Sequence, residues 1–174
     1  MINGQSIMAV GETWTGATDD MDELIDKINT NVNGVTASTI ASATATDVGD
    51  GILAETETFK VDVKKLDGTT TSVEVTDTEN MDQLVDKLNA EGGGLISASV
   101  GDDGKLTITA ENVESLAFTD GGSGANGAGG TLAATTASIA LSSDDGAEVT
   151  IERGTTGTLS DLESFGFRES NEAG

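Results

Sequence analysis

The sequence contains no cysteine, proline, histidine or tyrosine. Each absence removes chemistry. Without histidine or cysteine there is no Ser-His-Asp triad, no thiol nucleophile, no zinc finger and no ordinary haem ligation. Without proline there is no prolyl isomerisation to slow folding. The lack of cysteine suits the cytosol and equally suits an exported chain that does without disulfides. Basic residues are also scarce, 8 Lys and Arg against 31 Asp and Glu, for a net charge of −23. Such a surface repels phosphate backbones and anionic lipid, so neither nucleic acid nor membrane is expected as a partner. No apolar run approaches the ~20 residues of a membrane-spanning helix. The opening MINGQSIMAVGETW has no basic n-region and no long apolar stretch, so no Sec-type signal peptide is expected there.

High charge with few aromatics is also the composition of disordered chains. The regular placement of Val, Ile and Leu argues for a fold. Only four Phe and one Trp are present, so the core must be aliphatic and thin. At 174 residues the chain is long enough for one domain or two small ones.

What the chain does have is an internal repeat. Met21-Asp22-Glu23-Leu24-Ile25-Asp26-Lys27-Ile28-Asn29 returns as Met81-Asp82-Gln83-Leu84-Val85-Asp86-Lys87-Leu88-Asn89. Met21, Leu24, Ile25 and Ile28 fall at i, i+3, i+4 and i+7, one face of a helix, and so do their counterparts. Asp20 precedes Glu23, and Asn80 precedes Gln83, at capping-box spacing. Asn33-Gly34 and Gly92-Gly93-Gly94 supply stop signals. Lys27 stands one turn after Glu23 and is expected to pair with it. Met21 and Met81 are expected in the core, and Trp14 as a core or boundary anchor.

Around the second helix the period changes to two. Phe59, Val61 and Val63 alternate, Asp67-Gly68 turns the chain, and Val73 and Val75 alternate on the return, which is a hairpin pattern. Ile96, Ala98 and Val100, then Asp102-Asp103-Gly104, then Leu106, Ile108 and Ala110 give a second hairpin. The expected fold class is α+β, strand-rich, with small antiparallel sheets each packed on one short helix in ββαββ-like units. The first copy is thinner. Ile2 to Val10 could supply strands before its helix, and the Ala/Thr/Ser-rich Val35 to Val48 one or two after it. Ile139 and Leu141, then Asp144-Asp145-Gly146, then Val149 and Ile151 form a third hairpin pattern. A short turn near Leu159, Leu162 and Phe165 could close it.

The expected organisation is two subdomains. Residues 1–55 with 130–174 make a composite outer unit, 56–118 an inserted ββαββ unit, and 119–130 a Gly-rich connection. The alternative is three units in a row.

Candidate sites are few. Gly121-Gly122-Ser123-Gly124-Ala125-Asn126 touches the calcium-binding glycine-rich repeat, but it occurs once where such sites need stacked copies. Asp47-Val48-Gly49-Asp50-Gly51 lacks the spacing of an EF-hand loop. The Asp-Asp-Gly triplets at 102–104 and 144–146 could hold a hard cation weakly, but such triplets are more often turns, since Asp and Gly tolerate positive φ. Paired carboxylates can cleave glycosides, yet nothing singles out one pair among 31 acids. No catalytic, cofactor-binding or metal-ligating residue is assigned, no cofactor is expected, and the chain is not expected to be an enzyme.

The helix ending in Leu88-Asn89, followed by Ile96-Ser97-Ala98-Ser99-Val100 and by Gly101-Asp102-Asp103-Gly104-Lys105-Leu106-Thr107-Ile108-Thr109, resembles the "IN" motif of flagellins and hook-associated proteins. Asn33-Gly34-Val35-Thr36-Ala37-Ser38 after Ile28-Asn29 is similar to the same motif in the first copy. The resemblance covers most of the chain and implies the surface-exposed, hypervariable outer region of a bacterial flagellin. Flagellin ends are long coil-forming helices that build the filament, and this chain has none, so it would be an outer region belonging to a longer protein. The resemblance further implies an extracellular, exported, structural component of the motility filament, with neighbouring flagellin subunits as partners and the isolated region a monomer. An outer domain of a filament cap or hook-associated protein is the alternative. An adhesin module is a third, disfavoured by the scarcity of the aromatics that anchor binding sites.

Overall fold

A computed structural model describes residues 1–9, 11–12, 21–120 and 127–154. Over these residues the fold is α+β and strand-rich, 40% strand against 17% helix, with small antiparallel sheets packed on short helices. The helices among the described residues are α1 (Met21–Asn31) and α2 (Met81–Gly92). The strands are β1 (Val35–Thr44), β2 (Ile52–Leu53), β3 (Phe59–Lys65), β4 (Thr70–Val75), β5 (Thr78–Glu79), β6 (Ser97–Val100), β7 (Leu106–Glu111), β8 (Val113–Asp120), β9 (Thr135–Thr136) and β10 (Ser138–Ser143).

The chain divides into two compact units, Met1–Ser38 with Ser138–Gly174, and Thr39–Ala137. The expected cuts at 55/56 and at the 119–130 connection both fall inside the second of these. The reason is strand pairing. From Ile40 onward β1 pairs antiparallel with β7, Ile40 opposite Glu111 and Ala43 opposite Ile108, and that ties residues 39–44 to the inserted part.

In the contiguous unit both sequence hairpins form. β3 pairs with β4, Val61 opposite Val73, and β6 pairs with β7, Ala98 opposite Ile108. They do not lie in one sheet, as a ββαββ unit on a single sheet would require. β3 is flanked by β4 and β8, with β9 beyond β8, whereas β7 lies between β6 and β1. The switch is made at one residue. β7 ends at Glu111 and β8 begins at Val113, and Asn112 between them has φ 56°. Asparagine tolerates this left-handed conformation better than most residues. Helix α2 packs on β4, β5 and β6. Its Leu84 and Leu88 are fully buried, with Met81 and Val85 against the same core. Phe59, Val61, Val63, Leu106, Ile108 and Leu116 complete that core, and burying each contributes about 1.5–3 kcal/mol.

The two-segment unit has its own core of Ile2, Leu24, Ile25, Ile28, Val32, Val35 and Ala37, with Ile139, Leu141 and Val149 packed against it. Residues Val35–Val48, thin in apolar signal, yield the ten-residue β1 with alternate residues buried. Two expected strands are absent. Val149–Ile151 makes no strand on the return from the Asp144-Asp145-Gly146 turn. Instead Ile151 forms an isolated bridge with Ile2, and Ile2 bridges Gln5 in a tight turn, so the chain start makes no strand either. Those backbone groups are satisfied locally, Gln5 N–H to Ile2 C=O at 2.9 Å and Asn3 N–H to Thr150 C=O at 2.9 Å. Trp14, Asp20, Leu159, Leu162 and Phe165 lie outside the described residues.

Candidate functional site

The repeat places the same device at the end of each helix. Asn89, near the end of α2, reaches the strand that follows. Its Nδ2 donates to Ala98 C=O at 3.0 Å and its Oδ1 accepts from Ala98 N–H at 2.8 Å. Asn29 does the same to Ala37 of β1, at 3.0 Å and 2.7 Å. A carboxamide carries one acceptor and a donor on neighbouring atoms, as a peptide group does. Each asparagine therefore substitutes for one rung of a missing neighbouring strand. In β6 the effect is geometric. Gly101 N–H donates to Lys105 C=O, which fixes the phase of the β6–β7 ladder and turns the backbone groups of Ala98 away from β7. Asn89 takes both of them.

The caps support this placement. Asn80 Oδ1 accepts from Gln83 N–H at 3.0 Å, and Gln83 Oε1 accepts from Glu79 N–H at 3.0 Å, so the reciprocal bond reaches one residue earlier than a standard capping box. Gly93 closes the helix at φ 54°. Lys27 pairs with Glu23 at 3.2 Å and with Glu12 at 3.4 Å, and the Glu23 hydrogen bond leads in holding its ammonium pKa above the ordinary value. Lys87, its counterpart, has a different use: Nζ donates to Thr76 C=O at 2.9 Å and to Asp77 C=O. Asp77 has φ 55°, so Lys87 braces a left-handed residue.

The acidic triplets act as turns. In the first hairpin Asp67 Oδ1 accepts from Thr69 Oγ1 at 2.6 Å and Thr69 N–H at 2.8 Å. Asp103 Oδ1 accepts from Lys105 N–H at 3.2 Å, and Asp145 Oδ1 from Ser143 Oγ at 2.7 Å and Ala147 N–H at 3.0 Å. The hydroxyl bonds are the leading cause that holds Asp67 and Asp145 below the ordinary carboxylate range. Among the described residues no three acidic side chains converge as cation ligands.

The Asp47–Gly51 segment is a packing element. Asp47 N–H donates to Gly129 C=O and Gly51 N–H to Gly127 C=O, each at 2.9 Å. A Cβ on Gly49 would lie 2.5 Å from Gly127 O. The described end of the Gly-rich connection, Gly127–Gly129, is buried against this segment rather than forming a loose linker, and its glycines permit the close approach. Gly121–Asn126 lie outside the described residues.

One sheet face is polar. The outer side of β3, β4 and β8 presents Lys60, Asp62, Lys64, Thr70, Ser72, Glu74, Ser115 and Thr119. Ser72 Oγ donates to Asp62 Oδ1 at 2.5 Å, and Lys60 pairs with Asp62 at 3.0 Å. These two partners, the hydroxyl first, hold Asp62 below the ordinary range. The sequence reading missed β8, although Leu116 and Phe118 alternate there. It also missed the use of Asn29 and Asn89, although their recurrence was the available signal. No known protein family matches the chain, and no curated protein is significantly similar to it.

Proposed function

We propose that this chain is the outward-facing variable domain of a bacterial flagellin, a structural part of the extracellular filament rather than an enzyme. The observation that carries the reading is the duplicated latch. Near the end of each helix an apolar residue is followed by an asparagine, Ile28-Asn29 and Leu88-Asn89, and each asparagine holds the N–H and C=O of one residue in the following strand. Hydrophobic-Asn on a helix ahead of a hairpin is the feature by which both segments resemble the "IN" motif. The surface chemistry supports a passive role. At −23 net charge, with Thr, Ser and Asp on the strand faces, the domain is strongly hydrated and repels its neighbours at long range. Its part is to set the outer surface of the filament, with neighbouring flagellin subunits as partners.

Immunogold electron microscopy with antibody to this domain, on cells that produce it, tests the proposal. Label along the whole filament shaft is expected. Label confined to filament tips would assign the domain to a cap protein instead, and label on the cell body would overturn the flagellar reading altogether.

A further inference from the structure

The contiguous unit treats its strand edges unequally. The outer strand β6 is plugged at Ala98 by Asn89. The outer strand β9 is two residues long. The outer strand β4 runs for six residues and, among the described residues, has β3 as its one ladder neighbour. Lys65 N–H donates to Thr69 C=O at 2.8 Å, and this sets the phase of the β3–β4 ladder. Thr71, Val73 and Val75 turn their backbone groups to β3, while Thr70, Ser72 and Glu74 turn theirs outward. Those three residues are exposed. A row of unpaired N–H and C=O groups on an extended strand is a template for another strand.

We infer that β4 is a self-association edge, which pairs antiparallel with β4 of a second copy about a two-fold axis at Ser72. In that register Ser72 faces Ser72 of the second copy and Thr70 faces its Glu74, so all three outward rungs close. A shift by two residues in either direction leaves an outward rung without a β4 partner, and the shift that sets Ser72 opposite Glu74 also brings the two Glu74 residues closer. Charge selects the same register. Opposite β4 on the same face, Lys64 pairs with Thr70, Asp62 with Ser72 and Lys60 with Glu74. Across the seam each Glu74 would therefore lie between Lys60 of its own copy and, beyond Thr70, Lys64 of the other. No like charges meet directly opposite. Lys60, Lys64 and Lys65 on β3 are three of the chain's 8 Lys and Arg; within the copy Lys60 pairs with Asp62 at 3.0 Å and Lys64 with Glu114 at 2.6 Å, so this sheet face carries charges of both signs rather than acids alone. A second copy fits better than an acidic stranger because the strand is complementary to itself, as an isologous contact requires.

Long-range repulsion between copies at −23 opposes the contact. Salt screens that repulsion, with a Debye length of about 10 Å at 0.1 M and about 3 Å at 1 M. Association should therefore strengthen as salt rises, and the chain should be a monomer when dilute and at low salt.

The test is sedimentation equilibrium of this chain up to about 1 mM, at about 0.1 M and about 1 M salt. A dimer that strengthens with salt is expected; a monomer throughout, or open-ended assembly, overturns the inference. Ser72→Pro removes an outward N–H and no intrachain rung, and should weaken dimerisation by about tenfold or more. Ser72→Ala, which keeps the N–H, should dimerise as the unmodified chain does. Glu74→Lys lowers the net repulsion yet should weaken the dimer, because three lysines then meet at the seam; strengthening would overturn the register. Amide exchange needs no variant. The Ser72 and Glu74 amides should gain protection as dimer forms, while Val73 is protected throughout, and unchanged exchange at Ser72 in the dimer would place the contact elsewhere. The inference concerns the chain itself and stands or falls separately from its place on a filament.

Discussion

Thr39 and Val113 share a buried hydrogen bond of 2.6 Å, Oγ1 to carbonyl, across 74 residues of sequence. Thr39 is fully buried, and its own carbonyl accepts from Asn112 N–H at 2.8 Å. One residue thus holds both sides of the corner at which the chain leaves β7 for β8. Thr39→Val keeps the shape and the β-branch but orphans the Val113 carbonyl. The cost should be about 1–3 kcal/mol, read as a fall in urea midpoint with an unchanged slope. A loss below a few tenths would show that the corner holds without the hydroxyl.

The asparagine latches should be stabilising and independent. Asn89→Ala leaves the N–H and C=O of Ala98 to water at a partly buried site, and should cost about 1–2 kcal/mol. Asn29→Ala should cost a similar amount in the other unit. The double variant should show the sum, as separated sites without shared partners do. Asn89→Asp keeps the acceptor and loses the donor, so it should also be destabilising at neutral pH, although it is closer in shape.

Among the described glycines Gly51 is one of the least able to change. Its φ is 72°, and a Cβ there would overlap the backbone of Met81 at the start of α2. Gly51→Ala combines overpacking with left-handed strain and should cost about 3 kcal/mol or more. Gly68, at φ 79° with open space around it, should lose only the strain. Thermal melts of the two variants make the comparison, and equal losses would refute the overlap.

Asp67 gives a pH dependence with a definite sign. Thr69 holds its carboxyl below the ordinary range in the folded chain. A group depressed on folding stabilises above its unfolded pKa, and that contribution disappears as pH falls through the folded value. The Asp67 contribution should be full above about pH 4 and shrink below it. Asp67→Asn should therefore be less stable than the unmodified chain at neutral pH, with the gap closing on acidification. A gap constant down to about pH 2 would exclude the mechanism.

Both helices were legible because the apolar period of 3.6 appears twice in the same register, and at α2 the cap residues Asn80 and Gly93 took the expected positions. The β3–β4 and β6–β7 hairpins were legible from alternation around Asp-Gly turns. Which sheet each hairpin joined was not, because alternation reports the buried face of a strand and says nothing of its neighbour. The corner at Asn112 carries no glycine or proline to mark it, so a further strand after Ala110 was not expected. β1 was underweighted because its inward residues include Ala37, Thr39, Ala41 and Ala43, all buried yet weak in hydrophobic contrast. Val149 and Ile151 erred the other way, alternating without pairing as a strand. The acidic turns were read correctly as turns, since Asp and Gly suffice locally. The open edge of β4 follows from ladder phase, which no residue pattern states.

Thr39 is bonded to Asn112 and Val113, and Ala137 N–H donates to Glu114 C=O at 2.8 Å. The first and last residues of the contiguous unit are therefore fastened to three consecutive positions. Once that unit has folded, the rest of the chain meets it as a short loop whose ends are already together, so closing Met1–Ser38 against the segment from Ser138 carries the entropy of a short connection rather than a long one. The order of assembly follows from that economy of chain. The inner unit needs only its own residues, whereas the core around Ile2 and Ile28 waits for Ile139 and Leu141 to be made and delivered. A different insert with its ends fastened as closely would leave the two-segment unit the same small entropy of closure.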